Sequence, residues 1–178
     1  MIALESFHID FLKDKDAKSL CEMLTLNAER FKRYFPITLS KNKSLETSQN
    51  YIVEKNNECK NNLEFTFAII ESETSRIVGL IIIKEINWEN KQGEFAYCID
   101  SKFENIGLMS KAIIAISKYA FECLKLERLQ IIVHKDNIGS CKVAQKCHFI
   151  WQRTLLNEYT PPNELPLDME LYELTNEK

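Results

Sequence analysis

The clearest alternation of apolar and polar positions lies between residues 93 and 149. Residues 93–100 alternate as in a β-strand, and a second strand is predicted at residues 129–134. Between these two strands an apolar residue recurs every three or four positions, which predicts one buried helical face, made by Met109, Ile113, Ile116, Ala120 and Cys123. A shorter helix is predicted to begin at Asn137 and to end near Phe149. The segment is therefore predicted to form a strand, a turn, a long helix, a strand and a short helix.

The pattern on either side of this segment predicts a mixed α/β fold. Residues 80–83 are continuously apolar, which is typical of a strand buried on both faces. The order of elements predicts an α/β (α+β) fold with a mixed central sheet of about seven strands, flanked by helices on both faces, in a single domain of residues 1–178. The remaining predicted elements are strands at 4–12, 63–71, 76–86, 150–157 and 167–174, and helices at 14–30 and 45–58.

A turn at residues 103–110, which contains Gly107, opens into the long helix. The first N–H groups of a helix have no helical partners, and the positive end of the helix dipole lies beside them. Such a helix start suits an anion such as a pyrophosphate. One glycine before a helix is also typical of an ordinary turn, so the residues alone leave both interpretations open.

Charge and composition argue against several classes of protein. The net charge of −3 and the pI of about 5.7 disfavour a nucleic-acid or anionic-membrane binder, and they are compatible with a cationic amine or basic peptide substrate. No stretch approaches the roughly 18 apolar residues of a membrane span, and the N-terminus does not resemble a signal peptide. We therefore expect a cytoplasmic protein.

The six cysteines have no framework spacing, so we expect reduced thiols. A cluster that invites a metal interpretation contains His134, Cys141, Cys147 and His148. Its spacing matches no standard zinc pattern, and no metal is predicted.

Two motifs within the 93–149 segment resemble those of a known superfamily. Residues 137–149 match the pattern Asn-x-x-Ser-x-x-(Val)-x-x-Lys-x-Gly-Phe at Asn137, Ser140, Val143, Lys146 and Phe149, with His148 at the glycine position. Residues 104–109 occupy the register of a loop of the form Arg/Gln-x-x-Gly-x-Gly/Ala. With an opening strand at 7–12 and a closing strand at 168–172, the chain resembles the GCN5-related N-acetyltransferase (GNAT) superfamily, and within it the Rim-type branch that acetylates ribosomal-protein N-termini.

The resemblance implies an acyl-CoA N-acyltransferase fold and acetyl-CoA as co-substrate. It implies an acetyltransferase that acts on a primary amine, either a peptide N-terminus, a polyamine or a small metabolite, by direct attack in a ternary complex. It leaves a homodimer open and implies no nucleic-acid or membrane partner. The residues that would bind the cofactor are Cys98, Ile99, Glu104, Asn105, Ile106, Gly107, Leu108, Met109, Ser110 and Asn137.

The resemblance also suggests two catalytic residues, each with a structural alternative. Glu94 would take the proton of the amine, although it is equally consistent with the polar position of an alternating strand. Ser140 would donate a proton to the departing thiolate, because the position of the tyrosine used by many relatives is Ala144 here. The alternative for Ser140 is part of a helix cap with Asn137. Cys98 as a covalent nucleophile has no supporting His/Asp pair.

Four residues depart from the family pattern. Glu104 places a carboxylate beside a predicted pyrophosphate site, and Met109 adds a side chain where relatives keep the backbone bare. Ala144 and His148 are the other two departures. Together they motivate an alternative function, a catalytically impaired GNAT-like protein that binds acyl-CoA or serves as a scaffold. Arginines common in the opening strand of the Rim-type branch are replaced by Ser6 and Asp10, which weakens the inference of a ribosomal-protein substrate.

Overall fold

The computed structural model describes residues 1–176. Its strands are β1 (Ile2–Leu4), β2 (Phe7–Phe11), β3 (Phe65–Glu71), β4 (Ile77–Asn87), β5 (Gln92–Ile99), β6 (Arg128–Val133), β7 (Ile150–Tyr159) and β8 (Leu167–Thr175). Its α-helices are α1 (Ala17–Leu26), α2 (Ala28–Phe31), α3 (Pro36–Ser40), α4 (Leu45–Lys60), α5 (Leu108–Glu122) and α6 (Ile138–Lys146). Single 3-10 turns lie at Asp14–Asp16 and Ser101–Phe103.

The strands form one eight-stranded sheet in the order β1-β2-β3-β4-β5-β6-β8-β7. The sheet is mixed, because β5 pairs with β6 in parallel whereas β2 and β3, and likewise β6 and β8, pair antiparallel. The predicted mixed α/β fold is therefore confirmed. The additional strand arises from the predicted strand at 4–12, which is instead a hairpin in which Leu4 pairs with Phe7 and Glu5 takes a positive φ of 52°.

The chain divides into two compact units. The first unit consists of residues 1–82 and 97–106. Its hydrophobic core is formed by residues from helices and strands that are far apart in the sequence. Hydrophobic burial of this core is the main force that holds the unit together. The buried residues of this core are Leu12, Ala17, Leu20, Met23, Leu24, Phe31, Tyr51, Ile52, Ala68, Ile70, Ile77, Leu80 and Cys98.

One predicted helix of the first unit, residues 14–30, is interrupted at Asn27. The buried Asn27 side chain donates from Nδ2 to the carbonyl oxygen of Met23 at 2.9 Å, and its backbone leaves helical geometry at φ −106° and ψ 13°. A short polar side chain that bonds to the preceding turn competes with the helical pattern. Asn27 therefore separates α1 from α2, and its Oδ1 atom accepts hydrogen bonds from elsewhere in the unit.

The second unit consists of residues 83–96 and the chain from Gly107 onward, and α5 provides much of its core. The predicted apolar face is confirmed for Met109, Ile113, Ile116 and Ala120, which are all buried, but Cys123 is exposed. Cys123 lies one residue after the last residue of α5, as its C-cap. Within the described residues, no helix is both long enough and apolar enough to cross a bilayer.

Candidate active site

The predicted cofactor loop begins after β5 and ends in the first turn of α5. The Asp100 side chain accepts a hydrogen bond from the Lys102 N–H at 3.1 Å, and Asn105 and Gly107 take positive φ angles of 61° and 79°. Gly107 is the residue immediately before α5, and among the described side chains none caps this helix N-terminus. The first-turn N–H groups of α5 are therefore available to an acceptor outside the helix, as an anion site requires.

The exposed positions of this loop are Glu104, Asn105 and Ile106, whereas Leu108 and Met109 are buried. Met109 is only 6% exposed, so its side chain packs into the core of the second unit rather than standing over the loop.

The carboxylate of Glu104 is paired with a cation. It forms an ion pair with, and accepts a hydrogen bond from, the guanidinium of Arg30, which lies in α2. Both side chains are about two-fifths exposed, at 39% for Arg30 and 40% for Glu104. The expected charge repulsion at this position is therefore opposed by a cation that the sequence pattern did not identify.

Arg30 is held in place by two further contacts within the first unit. Its Nη1 atom donates to Oδ1 of Asn27 at 2.9 Å and to the backbone carbonyl of Ile99 at 3.4 Å. Asn27 Oδ1 also accepts from the Ser101 N–H at 3.0 Å. Asn27 and Arg30 thus connect the α1–α2 junction to the chain between β5 and the cofactor loop.

Cys98, near the end of β5, is a buried thiol of the first unit. Burial is the largest influence on its pKa and raises it to about 12, against smaller lowering effects from a backbone hydrogen bond and from Arg30. Because the thiolate is the nucleophilic form, a thiol with this pKa is inert at neutral pH. The structure therefore disfavours covalent catalysis by Cys98.

Glu94 lies in β5 within the second unit, opposite Gln130 of β6. Its side chain is 16% exposed, and one carboxylate oxygen lies 2.6 Å from Nζ of Lys84. Burial raises the pKa of Glu94 above its usual value, while the ammonium of Lys84 lowers it in part. A carboxyl group with a raised pKa is closer to the range that suits a general base at neutral pH. Glu94 is thus a largely buried carboxyl group paired with Lys84, rather than an exposed polar position of the strand.

Asn137 and Ser140 lie together at the start of α6. The Asn137 side chain accepts a hydrogen bond from the Ser140 N–H at 3.3 Å, which confirms the predicted cap. The contact uses the backbone of Ser140, so the cap does not depend on the Ser140 hydroxyl. Both residues are half-buried.

The other end of α6 explains one departure from the family motif. His148 lies two residues after Lys146, the last residue of α6, and takes a left-handed φ of 64°. Glycine adopts this conformation without strain, which is why a glycine is favoured after a helix. His148 therefore affects backbone conformation, while Ala144 is completely buried in α6.

Sequence analysis missed Arg30 and Asn27, because no motif marks a residue whose partners are distant in sequence. Their separation from Glu104 and Ser101 is 74 residues in each case. All six cysteines are free thiols, and no group of three or more His, Cys, Asp or Glu residues in the described part of the chain could hold a metal ion.

Comparison with known proteins identifies the family. A model described as "Acetyltransferase (GNAT) domain" matches residues 8–150. The chain is 25% identical over 150 residues to the probable N-acetyltransferase YjcK of Bacillus subtilis (strain 168), which covers 84% of this chain and 83% of the relative.

Two solved structures have a similar fold. The ribosomal-protein-S5-alanine acetyltransferase from Vibrio fischeri has a TM-score of 0.88 at 18% identity, over 99% of this chain and 97% of that one. The microcin C7 self-immunity acetyltransferase MccE, in complex with acetyl-CoA and AMP, has a TM-score of 0.86 at 20% identity, over 97% and 94%. With the family match over most of its length, this protein belongs to the GNAT family of acetyltransferases.

Proposed function

We propose that this protein transfers the acetyl group of acetyl-CoA to a primary amine by direct attack in a ternary complex, with the whole chain acting as one catalytic domain. The observation that supports this most directly is the start of α5. Gly107 turns the chain into the helix in left-handed geometry, and among the described residues no side chain occupies the first-turn N–H groups. Such groups suit the pyrophosphate of acetyl-CoA.

The reaction requires two proton transfers. The amine nitrogen loses a proton and attacks the thioester carbonyl carbon, after which the carbon–sulfur bond breaks and the sulfur gains a proton. Glu94 is proposed to take the amine proton, directly or through water, because burial raises its pKa. Ser140 is proposed to donate the proton to sulfur, because it occupies the serine position of the motif at residues 137–149 and Ala144 has no proton to donate.

The proposed cofactor-binding residues contribute mainly through the backbone. Cys98 and Ile99 lie at the end of β5, where backbone groups pair with an extended ligand in the manner of an added strand. Gly107, Leu108, Met109 and Ser110 supply the N–H groups of the α5 start, and Asn137 would border the ligand from α6. Backbone donors do not depend on side-chain identity, so the loop tolerates the departures from the family pattern.

The acceptor is proposed only as a primary amine: a peptide N-terminus, a polyamine or a small metabolite. The net charge of −3 is compatible with each of these cations. The similarity in fold to an enzyme named for an alanine of ribosomal protein S5 makes a peptide with an N-terminal alanine a sensible first candidate.

Two measurements, made one after the other, test the proposal. Isothermal titration with acetyl-CoA should give binding, and the melting temperature should rise, because a ligand at 100 times its Kd stabilises the fold by about 2.7 kcal/mol. Thiol release would then be followed with an alanine peptide, spermidine and a small primary amine as acceptors. Absence of binding at millimolar acetyl-CoA would refute the proposal, whereas binding without thiol release for any amine would favour an impaired acyl-CoA-binding protein.

A further inference from the structure

The ion pair between Arg30 and Glu104 occurs at the position where the loop differs in charge from its family. The loop register has arginine or glutamine at its first position, and this chain has Glu104 there. The structure places the guanidinium of Arg30 on that carboxylate. The negative charge of Glu104 is therefore balanced by a cation that the loop sequence itself does not supply.

The guanidinium makes two hydrogen bonds besides its contact with Glu104. Nη1 of Arg30 donates to Asn27 Oδ1 and to the Ile99 carbonyl, whereas Nη2 donates to Glu104. Asn27 is only 3% exposed and is itself fixed by its bond to Met23. In an ordinary surface ion pair both side chains fluctuate, and the pair contributes little stability. The two additional hydrogen bonds of Arg30 restrict its side chain more than that.

We propose that Arg30 sets the charge of the cofactor loop: from α2 it neutralises Glu104, so that the loop does not repel an anionic ligand. The proposal rests on the function proposed above, since the anion is the pyrophosphate of acetyl-CoA. An arginine suits this role because it stays charged at every physiological pH and presents several N–H groups in a fixed geometry. Glu104 and Arg30 together contribute no net charge, whereas either one without the other would change the local charge by one unit.

The proposal predicts opposite effects for the two partners. Arg30→Gln leaves the Glu104 carboxylate uncompensated, and acetyl-CoA should bind about tenfold more weakly. Glu104→Gln leaves Arg30 with its two other hydrogen bonds, and binding should become several-fold tighter. The double variant Arg30→Gln/Glu104→Gln should bind within about threefold of the wild type, because the two charge changes cancel.

Two further variants separate charge from structure. Arg30→Lys keeps the charge and should retain affinity within about threefold of the wild type, although it loses the fixed fork of donors. Lys32→Gln removes one positive charge from the end of the same short helix, where Lys32 pairs with the exposed Glu29, and should change affinity by less than about twofold. Melting temperatures of the ligand-free variants would show that each remains folded.

The decisive comparison uses two ligands, acetyl-CoA and acetyl-pantetheine, which has no phosphate. Titration calorimetry at low salt should show the Arg30→Gln effect for acetyl-CoA and not for acetyl-pantetheine, and the effect should shrink in about 1 M salt, where the screening length is about 3 Å. Unchanged acetyl-CoA affinity in Arg30→Gln would overturn the inference. Weaker binding of both ligands by both single variants would also overturn it, since Arg30 would then only hold the backbone. If the wild type binds neither ligand, the proposed function fails instead.

Discussion

The two helices that border the proposed cofactor site begin in different ways. At the start of α5, Gly107 adopts a left-handed conformation, and no described side chain caps the helix. At the start of α6, the Asn137 side chain accepts a hydrogen bond from the N–H of Ser140. Both helices belong to the second unit, and both starts contain residues that the sequence pattern linked to cofactor binding.

The difference assigns separate tasks to the two helix starts. A capped helix has satisfied one of its first N–H groups internally, whereas an uncapped helix leaves those donors to a ligand or to water. We therefore expect the anion at the start of α5 rather than at the start of α6. At the start of α6, the cap uses the N–H of Ser140.

The largest expected effect is at the start of α6. Ser140→Ala removes only the hydroxyl and keeps the N–H that donates to Asn137, so the helix cap should remain. Turnover should fall by about 10²–10⁴-fold if the hydroxyl donates a proton to the thiolate, with acetyl-CoA affinity nearly intact. Thiol-release kinetics and titration calorimetry would measure the two quantities.

Ser140→Thr serves as the control, because it keeps a hydroxyl and should retain part of the activity. Turnover at the wild-type rate in Ser140→Ala would show that water or a backbone group supplies the proton. The start of α6 would then contribute to the stability of the helix and not to the chemical step.

An effect of similar size is expected on the strand that leads into α5. Glu94→Gln cannot accept a proton and should lower kcat/KM by about 10²–10⁴-fold. In the wild type, activity should rise with pH as Glu94 ionises, through a pKa that burial holds above the usual value of 4.5, and this acidic limb should disappear in the variant. A full pH profile of kcat/KM measures both changes.

Lys84→Met provides a matched test, because Lys84 lowers the pKa of Glu94. Its removal should move the acidic limb to higher pH without abolishing turnover. The sign for stability is opposite to that for activity: a raised carboxyl pKa favours the folded state most below about pH 4.5, and this contribution is lost as pH rises through the folded pKa. An acidic limb unchanged in Glu94→Gln would assign the base elsewhere.

The same substitution at the two helix starts should have opposite effects on stability. Gly107→Ala forces a Cβ into a left-handed conformation and should cost about 1–2 kcal/mol, although a Cβ there meets no atom within 4 Å. Gly139→Ala, in the first turn of α6, should stabilise by roughly 0.5–1 kcal/mol, since its nearest contact is Asn137 Oδ1 at 4.0 Å.

Urea denaturation would measure both stability changes. Acetyl-CoA affinity should fall for Gly107→Ala and remain unchanged for Gly139→Ala. A loss of affinity in Gly139→Ala alone would place the anion site at α6 and reverse the comparison.

The smallest effect concerns the C-terminal end of α6. His148→Gly relieves a left-handed φ of 64° and should stabilise the protein by about 0.5–1 kcal/mol, after allowance for the greater flexibility of glycine in the unfolded chain. Lys142→Gly, at an exposed position inside α6, is the control and should destabilise by about 1 kcal/mol. Denaturation midpoints give both values, and destabilisation by His148→Gly would show that the histidine side chain contributes contacts that outweigh the strain.

Most of the fold could be predicted because its signals are local. The period of apolar residues along α5 follows from the geometry of a helix with one buried face. The continuous apolar run 80–83 predicts a strand covered on both sides, which an exposure of at most 5% at each of these residues confirms. The errors have local causes as well. Glu5 closes a hairpin without a glycine, and Asn27 interrupts a helix through a bond of its side chain to Met23.

For the site, the sequence by itself determined the candidate backbone segments and the candidate residues that match the family motif: the Gly107 turn, the Asn137 cap and Ser140. Only the tertiary structure decided their electrostatics. Arg30 reaches Glu104 across 74 residues of sequence, and Lys84 lies beside Glu94 from the neighbouring strand. A pattern along the chain records periodicity and conformational preference, whereas charge and pKa depend on which groups folding brings within a few ångströms, because electrostatic energy varies with distance in space.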